Sequence, residues 1–382
     1  MGKGILDTLR VLELSDEKGM LCAKLLADMG AETIRVEKPG KEISQTSANA
    51  GKHAIGLEIE MEEGRDLLKR LAGISDVFIE SYSPGYLSSL GIGYAELSQI
   101  NPRLVMASIT AFGQSGPYRD YQTSELVASA LGGQLYVCGE PGKPPLKPFG
   151  PLAYYTASLF AANGVMLALG QRNISGKGQY IDISIHECVA ATLDPVLIRY
   201  FYEGEVMKRS GDLYWNGAFR IFHCKDGYIL LSLNWQWETL VEWLESERMA
   251  EDLSDQKWRD EPHRRKNIGH IIAVLEKWTL KHNVDELVEL GQLMHFPWAR
   301  VAALPDVVSS PQLNQRGFFP EEMDSVTGER HKYPGSPFIM SRSPLKINHR
   351  IPCAGEYNQE VYRNILGLSG AEIERLMRKG VI

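Results

Sequence analysis

Hydrophobic and polar positions in the first hundred residues alternate between short apolar runs and longer stretches of helical spacing. Thr8 to Leu14 reads as a strand, and Met20, Leu21, Leu25, Leu26 and Met29 recur at helical spacing and close at Gly30. Thr33 to Glu37 is the next strand, ended by Pro39-Gly40. Strand, helix and strand in so short a span predict a βαβ unit of a parallel sheet. The pattern returns as a helix over Gly64 to Leu71 and strands over Asp76 to Glu80 and Leu104 to Ile109. Together they predict a doubly wound α/β domain. An apolar helix around Leu159 to Leu169 follows, interrupted by Asn163 and Gly164, and then a strand over Gln179 to Ser184. That apolar run is too short to span a bilayer and reads as a buried helix.

Beyond about residue 200 the pattern changes. Phe219 to Leu233 reads as a hairpin turning at Lys225-Asp226-Gly227-Tyr228. Two tryptophan-rich amphipathic helices follow, over Trp237 to Trp243 and Ile268 to Trp278, and the tryptophans read as core. Pro305 to Pro337 is turn-rich and is expected to be mostly irregular. The last helix, Gly370 to Lys379, puts Ile373, Leu376 and Met377 on one face. The expected domains are 1–200, a smaller unit over 201–320, and a return of 321–382 to the first.

Composition narrows the function classes. The chain has 382 residues, 44% hydrophobic and 23% charged, with a net charge of -7, which suits a globular protein and argues against a nucleic-acid partner. Five scattered cysteines, Cys22, Cys138, Cys188, Cys224 and Cys353, have no C-x-x-C spacing. They predict reduced thiols, no metal site and a cytoplasmic protein without a membrane partner. No signal peptide is read at the N-terminus.

The segment Gly150-Pro151-Leu152-Ala153-Tyr154-Tyr155-Thr156-Ala157-Ser158-Leu159-Phe160, followed by Ser175-Gly176-Lys177-Gly178-Gln179-Tyr180-Ile181-Asp182-Ile183-Ser184, resembles the core signature of the class III CoA-transferases. Leu26 to Gly40, Ser75 to Gly85, Asn101 to Val105, Phe112 to Tyr118, Phe296 to Val301 and Leu366 to Ser369 resemble other family segments in the same order. The resemblance implies an α/β fold with a Rossmann-like large domain, a parallel sheet, a smaller α/β domain, and an interlocked dimer. It implies acyl-CoA as substrate, with no covalently bound cofactor.

At the position where the transferases carry their nucleophilic aspartate this chain has Tyr154, and their glycine four residues later is Ser158. A carboxylate attacks the thioester in those enzymes; a phenol with a reference pKa of about 10 is almost wholly neutral at pH 7. Tyr154 therefore reads as a packed aromatic rather than a new nucleophile. Glu125 falls at an acidic or polar active-site position of relatives and reads as a vestige, with acid–base work the other reading. His186 reads as a helix-start or interface residue.

The resemblance places a vestigial CoA site at Lys38, Ser81 and Tyr82. Around it Glu60 stands where a lysine is expected, Ser89 where an arginine often stands, and Lys18-Gly19-Met20 where A-G-P is usual. The glycine-rich loop of some relatives has no counterpart between Glu203 and Trp215. The reading is a subunit without its own catalytic residue, resembling the accessory chain of two-subunit members. Its partner would be an aspartate-bearing paralogue that holds most of the acyl-CoA. The alternatives are a homodimeric racemase-like enzyme of altered chemistry and a binding or regulatory homologue without a reaction.

Overall fold

A computed structural model describes residues 4–214, 216–323, 328–343, 345 and 347–382. Trp215 and part of the Pro305 to Pro337 stretch lie outside them. The chain divides into two compact units, one of Met1–Leu135, Lys147–Val206 and Phe318–Ile382, the other of Tyr136–Leu146 and Met207–Gly317.

The first unit is built on a six-stranded sheet: β1 (Arg10–Leu14), β2 (Glu32–Glu37), β3 (His53–Gly56), β4 (Val77–Glu80), β5 (Val105–Thr110) and β6 (Tyr180–Ser184). Their order is β3-β2-β1-β4-β5-β6, and every pairing is parallel. Chain direction across the sheet reverses beside β1, so β1 and β4 frame a topological switch point, where open α/β sheets bind ligands.

Successive strand residues serve opposite faces. Leu12, Ile34, Ile55, Phe78 and Met106 meet Leu67, Leu68 and Leu71 of the Glu62–Gly73 helix and the C-terminal Val361, Tyr362, Leu376 and Ile382. Val11, Val77, Ile79, Val105 and Ala107 meet Cys22, Ala23 and Leu26 of the Met20–Asp28 helix and a row of small residues from the Leu152–Ser175 helix. Both faces are thus buried; β4 and β5 read as nearly continuous apolar runs, whereas β1 and β2 also carry the buried charges Glu13, Arg35 and Glu37.

Sequence reading missed β3. It is four residues long, follows Lys52, ends in Gly56, and is held from outside: Gly56 N donates to Asn358 Oδ1 at 2.9 Å and Tyr357 N to the Ala54 carbonyl at 3.0 Å. The apolar helix is also longer than expected. It runs for 24 residues, long and apolar enough by itself to cross a membrane, which corrects the length argument above. Ala153, Tyr154, Ala157, Ala161, Val165, Ala168 and Arg172 on one face are buried, so that face belongs to a protein core. At its end Gly176 adopts φ 73, the left-handed conformation of a helix C-cap. A Cβ at Gly178 would lie 2.0 Å from the Leu104 carbonyl oxygen, so only glycine fits there. These two glycines of the Ser175 to Gln179 motif serve the backbone, not chemistry.

In the second unit β7 (Phe219–His223) and β8 (Tyr228–Ser232) form the expected hairpin, extended by β9 (Ala299–Arg300). Trp237 and Trp278 are buried in its core, as read from the sequence, with Trp243 partly buried against it, and Trp258 and Trp298 join them. Glu247 anchors that core: its carboxylate accepts from Trp243 Nε1 at 2.7 Å, and from Trp278 Nε1 and His282 Nε2 at 2.8 Å each. The stretch expected to be irregular holds two short helices, Leu304–Ser309 and Pro311–Gln315, and a small hairpin of β10 (Glu321–Met323) and β11 (Arg330–Lys332). In the last helix Ile373 and Leu376 are buried, whereas Met377 is exposed.

Candidate functional site

Tyr154 sits in the first turn of the Leu152–Ser175 helix and is 4% exposed. It packs in the same apolar cluster as Ala128, Ala157, Ile185 and Val189. Burial pushes its phenol up to about 12, and the nearby carboxylates of Glu17, Asp16 and Glu125 push the same way. Each of these influences opposes the phenolate a nucleophile would need.

Glu125 begins the Glu125–Leu131 helix, which Ser124 caps by accepting from Val127 N. One oxygen of Glu125 accepts from Ala153 N at 3.3 Å and Ser129 Oγ at 3.1 Å; the other meets Lys147 Nζ at 3.1 Å. A carboxylate on the free N–H groups of a helix start satisfies unpaired donors. In this chain, then, Glu125 holds the turn that carries Tyr154.

Ser158 is fully buried, and its Oγ donates to the Lys18 carbonyl at 3.2 Å. Lys18 belongs to the loop after β1, and its ammonium pairs with Asp16. Asp16 accepts from Ser81 Oγ at 2.8 Å and from Lys18 N at 3.0 Å, while Asp16 N donates to Ser81 Oγ at 2.8 Å. A hydrogen-bonded chain therefore runs from Ser158 through the Lys18–Asp16 loop to Ser81. The serine and the Lys18-Gly19-Met20 segment, two separate departures from the family pattern, are one contact.

Ser81 and Tyr82 line a cleft of about 500 Å³ at the carboxyl ends of β1, β2 and β4, with Asp16, Arg35, Glu37, Lys41 and Glu42 also on its wall. The cations on that wall are already partnered. Arg35 bonds Glu13 at 2.9 Å and Glu37 at 2.9 Å, and Lys41 lies 3.4 Å from Glu37. Beneath the cleft, buried Lys52 meets Glu13 at 2.7 Å and donates to the Met20 carbonyl at 3.0 Å. This buried ionic cluster has no sequence signal, because its members come from two strands and the segment before a third. The Tyr82 ring lies 4.9 Å from that of Tyr86, tilted by 32°, and its phenol is pushed up to about 12, chiefly by burial.

Lys38 does not line the cleft. Its side chain is 62% exposed and lies 3.0 Å from Glu58, which holds its ammonium above the usual range. Glu60 accepts from the Tyr86 phenol at 3.2 Å, and Ser89 Oγ donates to the Tyr86 carbonyl at 2.7 Å. His186 lies elsewhere: its Nε2 is 3.1 Å from the Leu131 carbonyl, and its ring meets Phe112 edge-on. The structure thus gathers Tyr154, Glu125, Ser158 and the Asp16–Lys18 loop, links Ser81 and Tyr82 to them, and leaves Lys38 and His186 outside.

Glu80, at the end of β4, is a further feature that sequence reading passed over. It is 5% exposed, accepts from Tyr82 N at 2.7 Å, and is pushed up to about 7, mainly by burial.

Comparison with known proteins agrees with this geometry. The chain matches the model of CoA-transferase family III over residues 6–358. It is 31% identical to the succinyl-CoA:(R)-benzylsuccinate CoA-transferase subunit BbsE of Thauera aromatica, over 98% of this chain and 97% of that one. It is 30% identical to the succinyl-CoA–L-malate CoA-transferase beta subunit of Chloroflexus aurantiacus, over 94% of each chain. Among solved structures, a CAIB/BAIF family protein from Brucella suis superposes with a TM-score of 0.84 at 26% identity, over 96% of this chain and 100% of that one. With the family model spanning most of its length and relatives aligned nearly end to end, the chain belongs to CoA-transferase family III.

Proposed function

We propose that this chain is the non-catalytic subunit of a heteromeric CoA-transferase, paired with a paralogue that carries the aspartate. The observation that carries the reading is Tyr154: a buried phenol, pushed up to about 12, where the family resemblance places the nucleophile. At pH 7 a phenol of that pKa is ionised in about one molecule in 10⁵. Ser158 and Glu125 add to it, since both are engaged in holding backbone at this point.

In the proposed complex the partner's aspartate attacks the thioester carbonyl, the C–S bond breaks, and CoA leaves as thiolate, giving a mixed aspartyl-acyl anhydride. The thiolate returns to the aspartyl carbonyl, releasing the donor acid and leaving an enzyme thioester. The acceptor carboxylate then repeats the exchange and leaves as its CoA ester. The names of the two subunit relatives share succinyl-CoA, so succinyl-CoA is the donor to try first.

A second chain also has a physical reason to be present. The Leu152–Ser175 helix exposes Tyr155, Leu159, Phe160, Leu167 and Ile174 on the side away from its core, with Leu167 at 75% and Ile174 at 84% exposure. Apolar residues on every side of a helix call for burial on every side. The partner paralogue would supply the cover, and would also hold most of the CoA.

The test is to purify the chain alone and with an aspartate-bearing paralogue from the same genome, and to assay CoA transfer from succinyl-CoA. Activity should appear only in the 1:1 complex. Robust transfer by this chain alone would refute the reading.

A further inference from the structure

We propose that Glu32, His53 and Glu360 form a binding site for a divalent transition-metal ion of the zinc type at the β2–β3 edge of the sheet. One ligand atom from each residue lies within 4.8 Å of the other two. Nothing in sequence spacing could show this site, because its donors come from two strands and the C-terminal segment.

The fold brings them together by backbone contacts already described. His53 opens β3 opposite Ile34, and Glu32 begins β2 two residues before Ile34, on the same face. The bonds of Tyr357 N to Ala54 and of Gly56 N to Asn358 fix the C-terminal segment against β3 and bring Glu360 beside His53.

Each donor is prepared in a way that suits a metal. The His53 ring stacks on Tyr357 at 4.3 Å with 5° between planes, which sets its direction. Its Nδ1 is shielded from solvent, has no hydrogen-bond partner among the described residues, and lies 4.0 Å from Glu360 Oε1. A shielded ring nitrogen without a partner carries a desolvation cost that a metal bond removes. Glu32 Oε2 accepts from Arg10 Nε at 2.7 Å, an outer contact that orients the carboxylate and leaves its other oxygen available.

One nitrogen and two carboxylate oxygens suit zinc or cobalt(II), not calcium or magnesium, which prefer all-oxygen shells. Metal–ligand bonds of about 2.0–2.2 Å require the three atoms to draw closer by roughly 1 Å. Glu360, 47% exposed on its side chain, can rotate to do so. Two or more positions would remain for water. Bound metal would clamp the short edge strand to the C-terminal segment.

The experiment uses the full chain in a Cys353→Ser background, because an exposed thiol could capture the probe. Cobalt(II) is titrated while its visible d–d bands are followed, and zinc is then used to displace it. One equivalent should bind in the micromolar range, with zinc bleaching the bands and raising the melting temperature. His53→Gln and Glu360→Gln should each weaken binding on the order of tenfold or more. Glu360 lies on the surface, so its variant reports even if His53→Gln disturbs folding. No saturable spectrum, or equal affinity in both variants, would overturn the proposal. In that case His53 would be only a histidine held between two carboxylates.

Discussion

Replacing Tyr154 by phenylalanine or by alanine separates a packing role from a chemical one. The phenol oxygen makes no hydrogen bond among the described residues, while the ring is 4% exposed within a cluster of small side chains. Tyr154→Phe therefore keeps nearly all the buried surface, and its stability should stay within about 0.5 kcal/mol of the parent. Tyr154→Ala removes the ring from a closely packed apolar cluster that includes Ala128, Ala157, Ile185 and Val189, and leaves a cavity. The expected loss is about 3–5 kcal/mol, read as a shift of the urea midpoint at constant slope. In the complex, transfer from succinyl-CoA should be unchanged by Tyr154→Phe. A nucleophilic phenol makes the opposite forecast: full loss of activity in the phenylalanine variant with stability intact. That result would refute the packing argument and the subunit role built on it.

Three further outcomes follow from the same geometry. Glu125→Ala frees Ala153 N and Lys147 and should cost about 1–2 kcal/mol, with Glu125→Gln recovering part of it; a loss of turnover without a loss of stability would point instead to acid–base work. Glu247→Ala leaves two buried indole N–H groups and His282 without their acceptor, so it should cost about 3 kcal/mol and change tryptophan emission; an unchanged urea midpoint would contradict this. Glu80 is pushed up to about 7, so the folded chain binds this proton more tightly than the unfolded one. Its contribution is fully present below the unfolded carboxyl value and is lost as pH rises toward 7, by up to about 3 kcal/mol. Glu80→Gln should flatten the melting curve between pH 5 and 8, and a profile identical to the parent would count against the burial argument.

The elements legible in the sequence are those whose own side chains decide them. β1, β2, β4 and β5 are buried on both faces and carry the apolar residues that mark them, and the Met20–Asp28 helix shows its period and is followed by a glycine with φ 103. β3 was not legible, because Asn358 and Tyr357 from the far end of the chain hold it in place. The helices Leu304–Ser309 and Pro311–Gln315 are too short to show a period; in the second, Ser310 accepts from Leu313 N. At the site, Tyr154, Ser158 and the Lys18 segment were each visible as departures from a pattern. Their union through the Ser158 to Lys18 bond was not, since it joins residues from opposite ends of the βαβ region and the long helix. The family resemblance put Lys38 in a vestigial CoA site; its pairing with Glu58 could only be seen in three dimensions.

The central claim is that the covalent chemistry belongs to the partner. Mass spectrometry of the intact complex, quenched after mixing with succinyl-CoA and no acceptor, tests this directly. The account predicts a succinyl or CoA adduct on the aspartate-bearing paralogue and an unmodified mass for this chain. An adduct on this chain, mapped to the peptide containing Tyr154, would contradict it.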